Sequence, residues 1–208
     1  MSRYYDEKYS SAGLYWGKQP SSIARILLQK YPPHQGQKLL DIGSGEGRDS
    51  VFFAQNGYGV TGFDSSAQGV RKSLAWADEL GLSIEFFQAD ITECRLHDSY
   101  DVVFSSGALH YIPPPLREEI LSNYKRFTTE DGLHAFTVPI HKPFLPKDPQ
   151  ADEREQVWRS GEILTYYHDW KIAYFTEEIL ADQSGYKFAV NRLIAREPSA
   201  YNFNHPSK

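Results

Sequence analysis

The sequence predicts an α/β fold, a Rossmann-like sheet with helices on both faces, and three observations lead there. Short apolar runs alternate with amphipathic segments along the 208 residues, which is the pattern of strands connected by crossover helices. The first apolar run, Leu39-Leu40-Asp41-Ile42, enters a turn with glycines at 43, 45 and 47. Two later runs each end in an acid, Asp64 and Asp90. A chain of this length can bury one core, so residues 1–208 are expected to form a single domain.

The elements follow in order. A first helix is expected over residues 21–31, capped by Ser21 or Ser22 and stopped by Pro32-Pro33. Strand one leads into the glycine turn, and a second helix spans about 46–56, ending at Gly57. Strand two is 59–63, followed by a helix over about 66–80 that ends at Gly81; both glycines suit a left-handed cap. Strand three covers 83–88 and strand four 100–105. A further helix starts at Pro114 or Pro115, where proline is pre-set for a first turn, and runs to about 127. Strand five is 134–140. Residues 198–208 read as a loosely held tail.

Composition narrows the function classes. A net charge of −5 and a pI near 5.8 provide no basic surface for phosphate neutralisation, which disfavours nucleic acid and favours a small-molecule substrate. Cys94 is the single cysteine, so an intramolecular disulfide and a cysteine-rich metal site are excluded, and no metal is expected. No stretch approaches the ~20 apolar residues of a membrane span, and the start of the chain lacks a signal-peptide core. The expectation is a cytoplasmic protein.

The glycine turn carries the chemistry. Removing Cβ atoms at 43, 45 and 47 lets backbone press against a ligand and point N–H groups at it. A dinucleotide fingerprint needs Gly-x-Gly-x-x-Gly, but the sixth position here is Arg48 and the glycine falls at 47. Asp41, two residues before the first glycine, would repel a diphosphate and suits a cationic ligand. That favours S-adenosylmethionine (SAM) over NAD.

With Asp-x-Gly-x-Gly-x-Gly in place, residues 38–140 resemble the class I SAM-dependent methyltransferases. Asp64 lies 23 residues after Asp41, near the ~20 expected of a ribose-binding acid one βα unit later, and should accept from both ribose hydroxyls. Ala89-Asp90-Ile91 is similar to the family's adenine position, with Asp90 meeting the exocyclic amine and Ile91 packing on the ring. The resemblance implies a mostly parallel sheet with an antiparallel last strand, its late hairpin drawn from 171–176 and 187–196. The cofactor-binding set it implies is Asp41, Gly43, Ser44, Gly45, Gly47, Arg48, Asp64, Ser65, Asp90, Ile91 and Ser105. The bland readings are a simple tight turn, an Asp64 that serves the next helix cap with Ser65 or Ser66, and an Asp90 that is a solvated loop acid.

The acceptor side is read from what surrounds this core. The loop after strand four carries His110 and Tyr111, candidates to orient a substrate or accept a proton, since imidazole titrates near neutrality; a histidine packed on the cofactor is the structural alternative. The aromatic leader before strand one offers Tyr9 and Trp16 as lid contacts, or as packing that seals the first helix onto the sheet. Trp158, Tyr166, Tyr167 and Trp170 are expected to wall the substrate pocket, with His168 as a further polar group. The run Gly161-Glu162-Ile163 through Tyr166-Tyr167 to Trp170, with the last strand ending Ile194-Ala195-Arg196, narrows the resemblance to the tellurite-resistance TehB branch. That branch has a His-Arg pair and a further arginine before the last strand, where this chain reads Ile179-Leu180-Ala181-Asp182. Arg192 is a partial substitute or a solvent-facing strand residue.

Residues 1–36 are thus assigned to leader and first helix, 37–140 to the SAM-binding core, 141–197 to a substrate-side insertion with the C-terminal strands, and 198–208 to the tail. The expected function is methyl transfer from SAM, releasing S-adenosylhomocysteine (SAH), to a small molecule such as a chalcogen oxyanion or thiol-like soft nucleophile. Alternatives are a metabolite O- or N-methyltransferase, a non-catalytic SAM-binding sensor, and an NAD dehydrogenase.

Overall fold

The computed structural model describes residues 3–146, 152–181 and 185–199. Seven strands form one sheet: β1 (Lys38–Ile42), β2 (Gly59–Asp64), β3 (Glu85–Gln88), β4 (Tyr100–Ser106), β5 (Thr128–Ile140), β6 (Lys171–Ala181) and β7 (Lys187–Arg196). Their spatial order is β3-β2-β1-β4-β5-β7-β6. Strands β1 to β5 pair in parallel, whereas β7 is antiparallel to both β5 and β6. Strand order reverses between β1 and β4, and the crevice beyond their carboxyl ends is where open α/β sheets take ligands.

The helices are α1 (Arg3–Lys8), α2 (Ser22–Lys30), α3 (Arg48–Gln55), α4 (Ala67–Glu79) and α5 (Pro114–Arg126), with 3-10 turns at Leu109–Tyr111 and Glu162–Tyr167. Cap chemistry sets the boundaries. The Ser21 hydroxyl accepts from the Ala24 amide at 3.3 Å and the Ser66 hydroxyl from Gly69 at 3.0 Å. Gly57 and Gly81 take positive φ, 99° and 64°, as expected of residues that end helices. Helix α3 begins two residues later than predicted, because Glu46 and Gly47 belong to the glycine turn and Gly47 is its left-handed cap at φ 85°.

Both faces of the sheet are covered, so adjacent strand residues are buried on opposite sides. Leu39, Val102, Phe104, Ala135 and Ile194 pack with α2 and with Phe53 of α3. Leu40, Ile42, Val103, Phe136 and Leu193 pack on the other face with Ile120 and Tyr124 of α5, Trp158 and Tyr167. Strand β5 starts six residues before the predicted boundary. Its polar opening pairs only through a register shift opposite Tyr100 and Val102, with Asp131 at φ 61°, so no apolar alternation marked it. Strand β6 likewise extends past 176 to Ala181. Residues 147–151 of the predicted insertion and the predicted tail from residue 200 lie outside the described residues. Among the described residues no helix is long and apolar enough to cross a membrane.

Candidate cofactor and acceptor site

The carboxyl ends of β1, β2, β4 and β5 and the amino-terminal half of the antiparallel β7 open into one cavity of about 1560 Å³. Its first wall is the glycine turn. Gly43 and Gly45 take left-handed φ, 69° and 57°. A Cβ on Gly43 would stand 2.2 Å from the Ala108 Cβ, and one on Gly45 would stand 2.9 Å from the Tyr9 Oη, so both positions exclude a side chain twice over. The Gly43 and Ser44 amides are anchored on the Phe63 carbonyl at 2.9 Å, which ties the turn to the end of β2. Ser44 Oγ and Arg48 Nε are buried, line the cavity and have no hydrogen-bond partner among the described residues. Buried polar atoms in that state are costly unless a ligand meets them.

The three acids are each held differently. Asp41 is buried and accepts from Ser50 Oγ at 2.6 Å. Burial, reinforced by the neighbouring Asp49, pushes its carboxyl up to about 7. Asp64 accepts from the Gly45 amide at 2.9 Å and the Ser66 amide at 2.8 Å; burial still leaves its carboxyl raised. Asp90 is less enclosed. Burial pushes it up, but the Thr92 amide and hydroxyl, at 2.9 and 2.7 Å on one oxygen, outweigh that and hold it below the usual carboxylate range. Ile91 lines the cavity beside it.

The leader closes this wall. Asp6 Oδ1 accepts from Ser66 Oγ at 2.5 Å and from the Gln68 amide at 3.1 Å, docking α1 on the start of α4. Glu46, inside the glycine turn, accepts from the Tyr15 amide and from Lys72, both at 2.6 Å, and Lys72 also reaches the Gly13 carbonyl at 2.6 Å. Tyr9 is buried over Gly45, and its hydroxyl accepts from Trp16 Nε1 at 3.2 Å. Tyr4, Tyr5, Tyr9, Tyr15 and Trp16 all line the cavity, although Trp16 keeps 51% of its surface exposed. The leader therefore lies on the ligand side and does not seal α2 to the sheet, a task done by Ile23, Ala24 and Leu27.

On the proposed acceptor side, His110 and Tyr111 line the cavity. His110 does not titrate near neutrality. Burial takes its imidazole down to about 4, so it is neutral at pH 7, with Nδ1 unpartnered among the described residues and Nε2 at 3.9 Å from Glu155. Tyr111 is raised above its ordinary value by burial and by Tyr5, whose hydroxyl is 3.5 Å away. The arm that covers this side is Asp152 to Val157. Arg154 pairs with Asp152 at 2.5 Å and lies 5.3 Å from the Tyr111 ring centre. Arg117 holds the arm from below: Nε donates to the Ile112 carbonyl, NH1 to Glu162 at 2.6 Å and NH2 to the Gln156 carbonyl, with the guanidinium 4.1 Å over the Trp158 ring. The Gln156 amide in turn donates to the His110 carbonyl at 2.7 Å.

Several expected contacts fall elsewhere. Trp158, Tyr166, Tyr167 and Trp170 do not line the cavity; they pack against the sheet face that carries α5. Trp158 Nε1 is spent on the Leu109 carbonyl at 3.2 Å, and the Tyr167 hydroxyl sits 2.5 Å from His134 Nδ1. Trp158 and Tyr167, large rings whose polar atoms are satisfied indoors, are core, with Trp170 buried beside them and Tyr166 half-buried at the edge. His168 is exposed and bonded to the Thr165 carbonyl. Gly47 and Ser105 also stand outside the cavity. Gly47 gives α4 room, since its Cβ would lie 3.0 Å from Ser73 Oγ, and Ser105 Oγ ties β4 to the Ile42 carbonyl at 2.9 Å. Arg192 does not face solvent: it is 5% exposed and lines the cavity, because β7 lies between two strands. Sequence reading missed Glu46, Lys72, Arg117 and Thr137. An acid inside a glycine turn was a usable signal for the first; the others depend on long-range packing.

A family profile described as a methyltransferase domain matches residues 39–132. The probable S-adenosyl-L-methionine-dependent methyltransferase TehB of Haemophilus influenzae is 24% identical over 142 residues, 68% of this chain and 49% of that protein. The crystal structure of TehB from Haemophilus influenzae superposes with a TM-score of 0.76 at 21% identity, covering 94% of this chain and 66% of the other. Magnesium protoporphyrin IX methyltransferase from Synechocystis, solved with bound SAH, superposes with a TM-score of 0.65 at 18% identity, covering 85% and 80%. The chain spans about half the length of the curated relatives it matches.

Proposed function

We propose that the chain, which matches a methyltransferase-domain profile over residues 39–132 and resembles TehB in sequence and fold, is a class I SAM-dependent methyltransferase of the TehB-like branch that methylates a small-molecule acceptor whose nucleophile is soft, a thiol or another chalcogen. The carrying observation is the base available beside the cofactor. His110 is held down to about 4 and Tyr111 above its ordinary value, so neither removes a proton well near neutrality. A hydroxyl or ammonium acceptor needs that removal. A thiol does not: a few per cent is already thiolate at pH 7 and is strongly nucleophilic.

Bound SAM would supply an electrophilic methyl on a sulfonium, open to in-line attack by the acceptor's electron pair as the methyl–sulfur bond breaks and SAH leaves. The chain's residues position and enclose. Each Asp64 oxygen accepts one amide and keeps a second lone pair for a ribose hydroxyl, and Asp90 keeps one carboxylate oxygen free of Thr92 to meet the adenine amine, with Ile91 against the ring. The Gly43-Ser44-Gly45 backbone and the unpartnered Arg48 Nε fit the amino-acid end, Arg48 toward its carboxylate and Asp41 toward its ammonium. Tyr9 and the leader exclude water over the turn. His110 Nδ1 can accept one hydrogen bond and so orient an S–H or other donor.

Labelled SAM offered with matched aromatic thiol, phenol and aniline acceptors tests this reading. Transfer to the thiol is expected to exceed the other two. Preference for the phenol or aniline would replace it with an O- or N-methyltransferase, and tight SAM binding with no transfer to any of them would replace it with a sensor. Asp64→Ala should weaken SAM by about 1–3 kcal/mol, the range for a charge-assisted buried hydrogen bond; unchanged affinity in calorimetry would remove the ribose assignment.

A further inference from the structure

The cavity is larger than one cofactor needs, and its far wall carries a built polar site. Small-molecule pockets run to roughly 300–1,000 Å³, whereas this one reaches about 1560 Å³. Strand register locates what lies along it. Ser106 pairs with Thr137, and Thr137 pairs with Arg192. Laterally paired residues point to the same face, so these three form a row, and all three line the cavity. Ser106 stands two residues beyond Phe104, the register partner of Asp41, which places it level with Gly43. At ~4.8 Å per strand, Thr137 is ~10 Å and Arg192 ~14 Å from the cofactor turn.

The end of this row is prepared for an anion. Arg192 is almost fully buried, and its one ion pair among the described residues joins NH1 to Glu178 on β6, which draws the guanidinium away from the cofactor. A guanidinium carries five donors, so the remaining edge is available to a carboxylate. Beside it the Thr137 Oγ1 is buried and has no partner among the described residues. An arginine needed only to pair with Glu178 could do so at the rim, without an orphaned hydroxyl next to it.

We propose that the acceptor is an organic anion, its carboxylate or equivalent oxygen group gripped by Arg192 and Thr137 and its soft nucleophile presented near Ser106. This rests on the methyl-transfer reading above and narrows it. A bare chalcogen oxyanion is only a few atoms wide. Held at Arg192 it would stop about two strands short of the methyl donor; an aryl or alkyl spacer covers that gap.

The probes are 4-mercaptobenzoate, 4-mercaptobenzamide and sodium selenite, used with the full chain. Two measurements are made: calorimetric binding to the SAH-loaded protein, and methyl transfer from labelled SAM. The carboxylate is expected to bind at least tenfold more tightly than the amide and to show a correspondingly higher kcat/KM, with selenite failing to compete. In Arg192→Gln the carboxylate-to-amide ratio should collapse to about one. Thr137→Val, close in shape and safer for folding, should lower the ratio severalfold. SAH affinity, read in the same titrations, reports whether each variant is folded. Equal binding of carboxylate and amide, no binding of the carboxylate to SAH-loaded wild type, or a ratio unchanged in both variants overturns the anchor. Failure of wild type to bind SAH would instead overturn the cofactor reading itself.

Discussion

If Asp41 receives the ammonium end of SAM as proposed, cofactor binding weakens as pH falls through about 7, whereas an exposed carboxylate, already ionised there, would show the same loss only as pH approached about 3.8. Its carboxyl sits at about 7 because burial and the Asp49 charge disfavour ionisation more than Ser50 and Arg48 favour it. Arrival of the cationic end of SAM favours the carboxylate, so binding below pH 7 must expel a proton. If Asp41 is fully ionised in the complex, apparent affinity falls by a factor of 1 + 10^(7 − pH): about 2-fold at pH 7, about 11-fold at pH 6 and about 100-fold at pH 5. The two lower points correspond to about 1.4 and 2.7 kcal/mol.

Calorimetry of SAM binding from pH 5 to 8, repeated in buffers of different ionisation enthalpy, measures both quantities. About 0.9 proton should be released per SAM at pH 6. Asp41→Asn should bind more weakly at pH 8 and lose the slope. SAH, which keeps the ammonium but lacks the sulfonium charge, should retain the slope if Asp41 faces the amino-acid end. The apo protein carries the converse signature. The folded carboxyl titrates above its unfolded value of 3.8, so the native state holds the extra proton between about 4 and 7 and stability falls as pH rises through that window. Asp41→Asn should therefore melt higher than wild type at pH 8 without ligand. A pH-independent SAM affinity, or a slope that survives in Asp41→Asn, would refute the reasoning.

Three further outcomes follow from the packing. Gly43→Ala combines a left-handed φ of 69° with a Cβ 2.2 Å from Ala108, and should cost about 2 kcal/mol or more in urea unfolding while weakening SAM. Arg117→Met strands Glu162 and two carbonyls, so about 3–5 kcal/mol of stability should be lost; a loss under 1 kcal/mol would show that the arm is held otherwise. His134, pushed down to about 3 chiefly by burial, binds its proton more readily unfolded, where its value is near 6.5. Its contribution is present above 6.5 and is lost as pH falls toward 3, so His134→Gln should flatten the acid limb of a stability–pH curve by up to about 1.4 kcal/mol per pH unit.

The strand-end geometry of the proposed cofactor site was legible because it is local. Asp41, the glycine turn, Asp64 and Asp90 each sit at the end of a strand, and strand ends in a parallel sheet converge wherever the order reverses. The helix caps at Ser21 and Ser66 were legible for the same reason. Gly47 and Ser105 were misassigned at one residue's resolution, since neighbours in a turn can face the ligand or the scaffold with the same spacing. The acceptor half depends on contacts across long sequence separations. Trp158 looked like a pocket wall until the distant Arg117 and Leu109 were seen to claim its ring and its N–H, and the Arg192 position became meaningful only through its register with Thr137.

Glu46 shows how the leader is joined to the glycine turn. Its carboxylate is buried inside the cofactor turn, where a lone charge would be expensive, and the leader supplies part of its compensation through the Tyr15 amide while Lys72 supplies the rest. Lys72 spends a second donor on the Gly13 carbonyl, so undocking the leader strips partners from both charges at once. The same movement lifts Tyr9 from Gly45, whose lack of a side chain is what lets the ring approach. If the leader undocks, its docking and the shape of the glycine turn are therefore coupled. Any ligand that stabilises the turn also stabilises the closed leader by the same coupling free energy, because linkage between two sites is reciprocal.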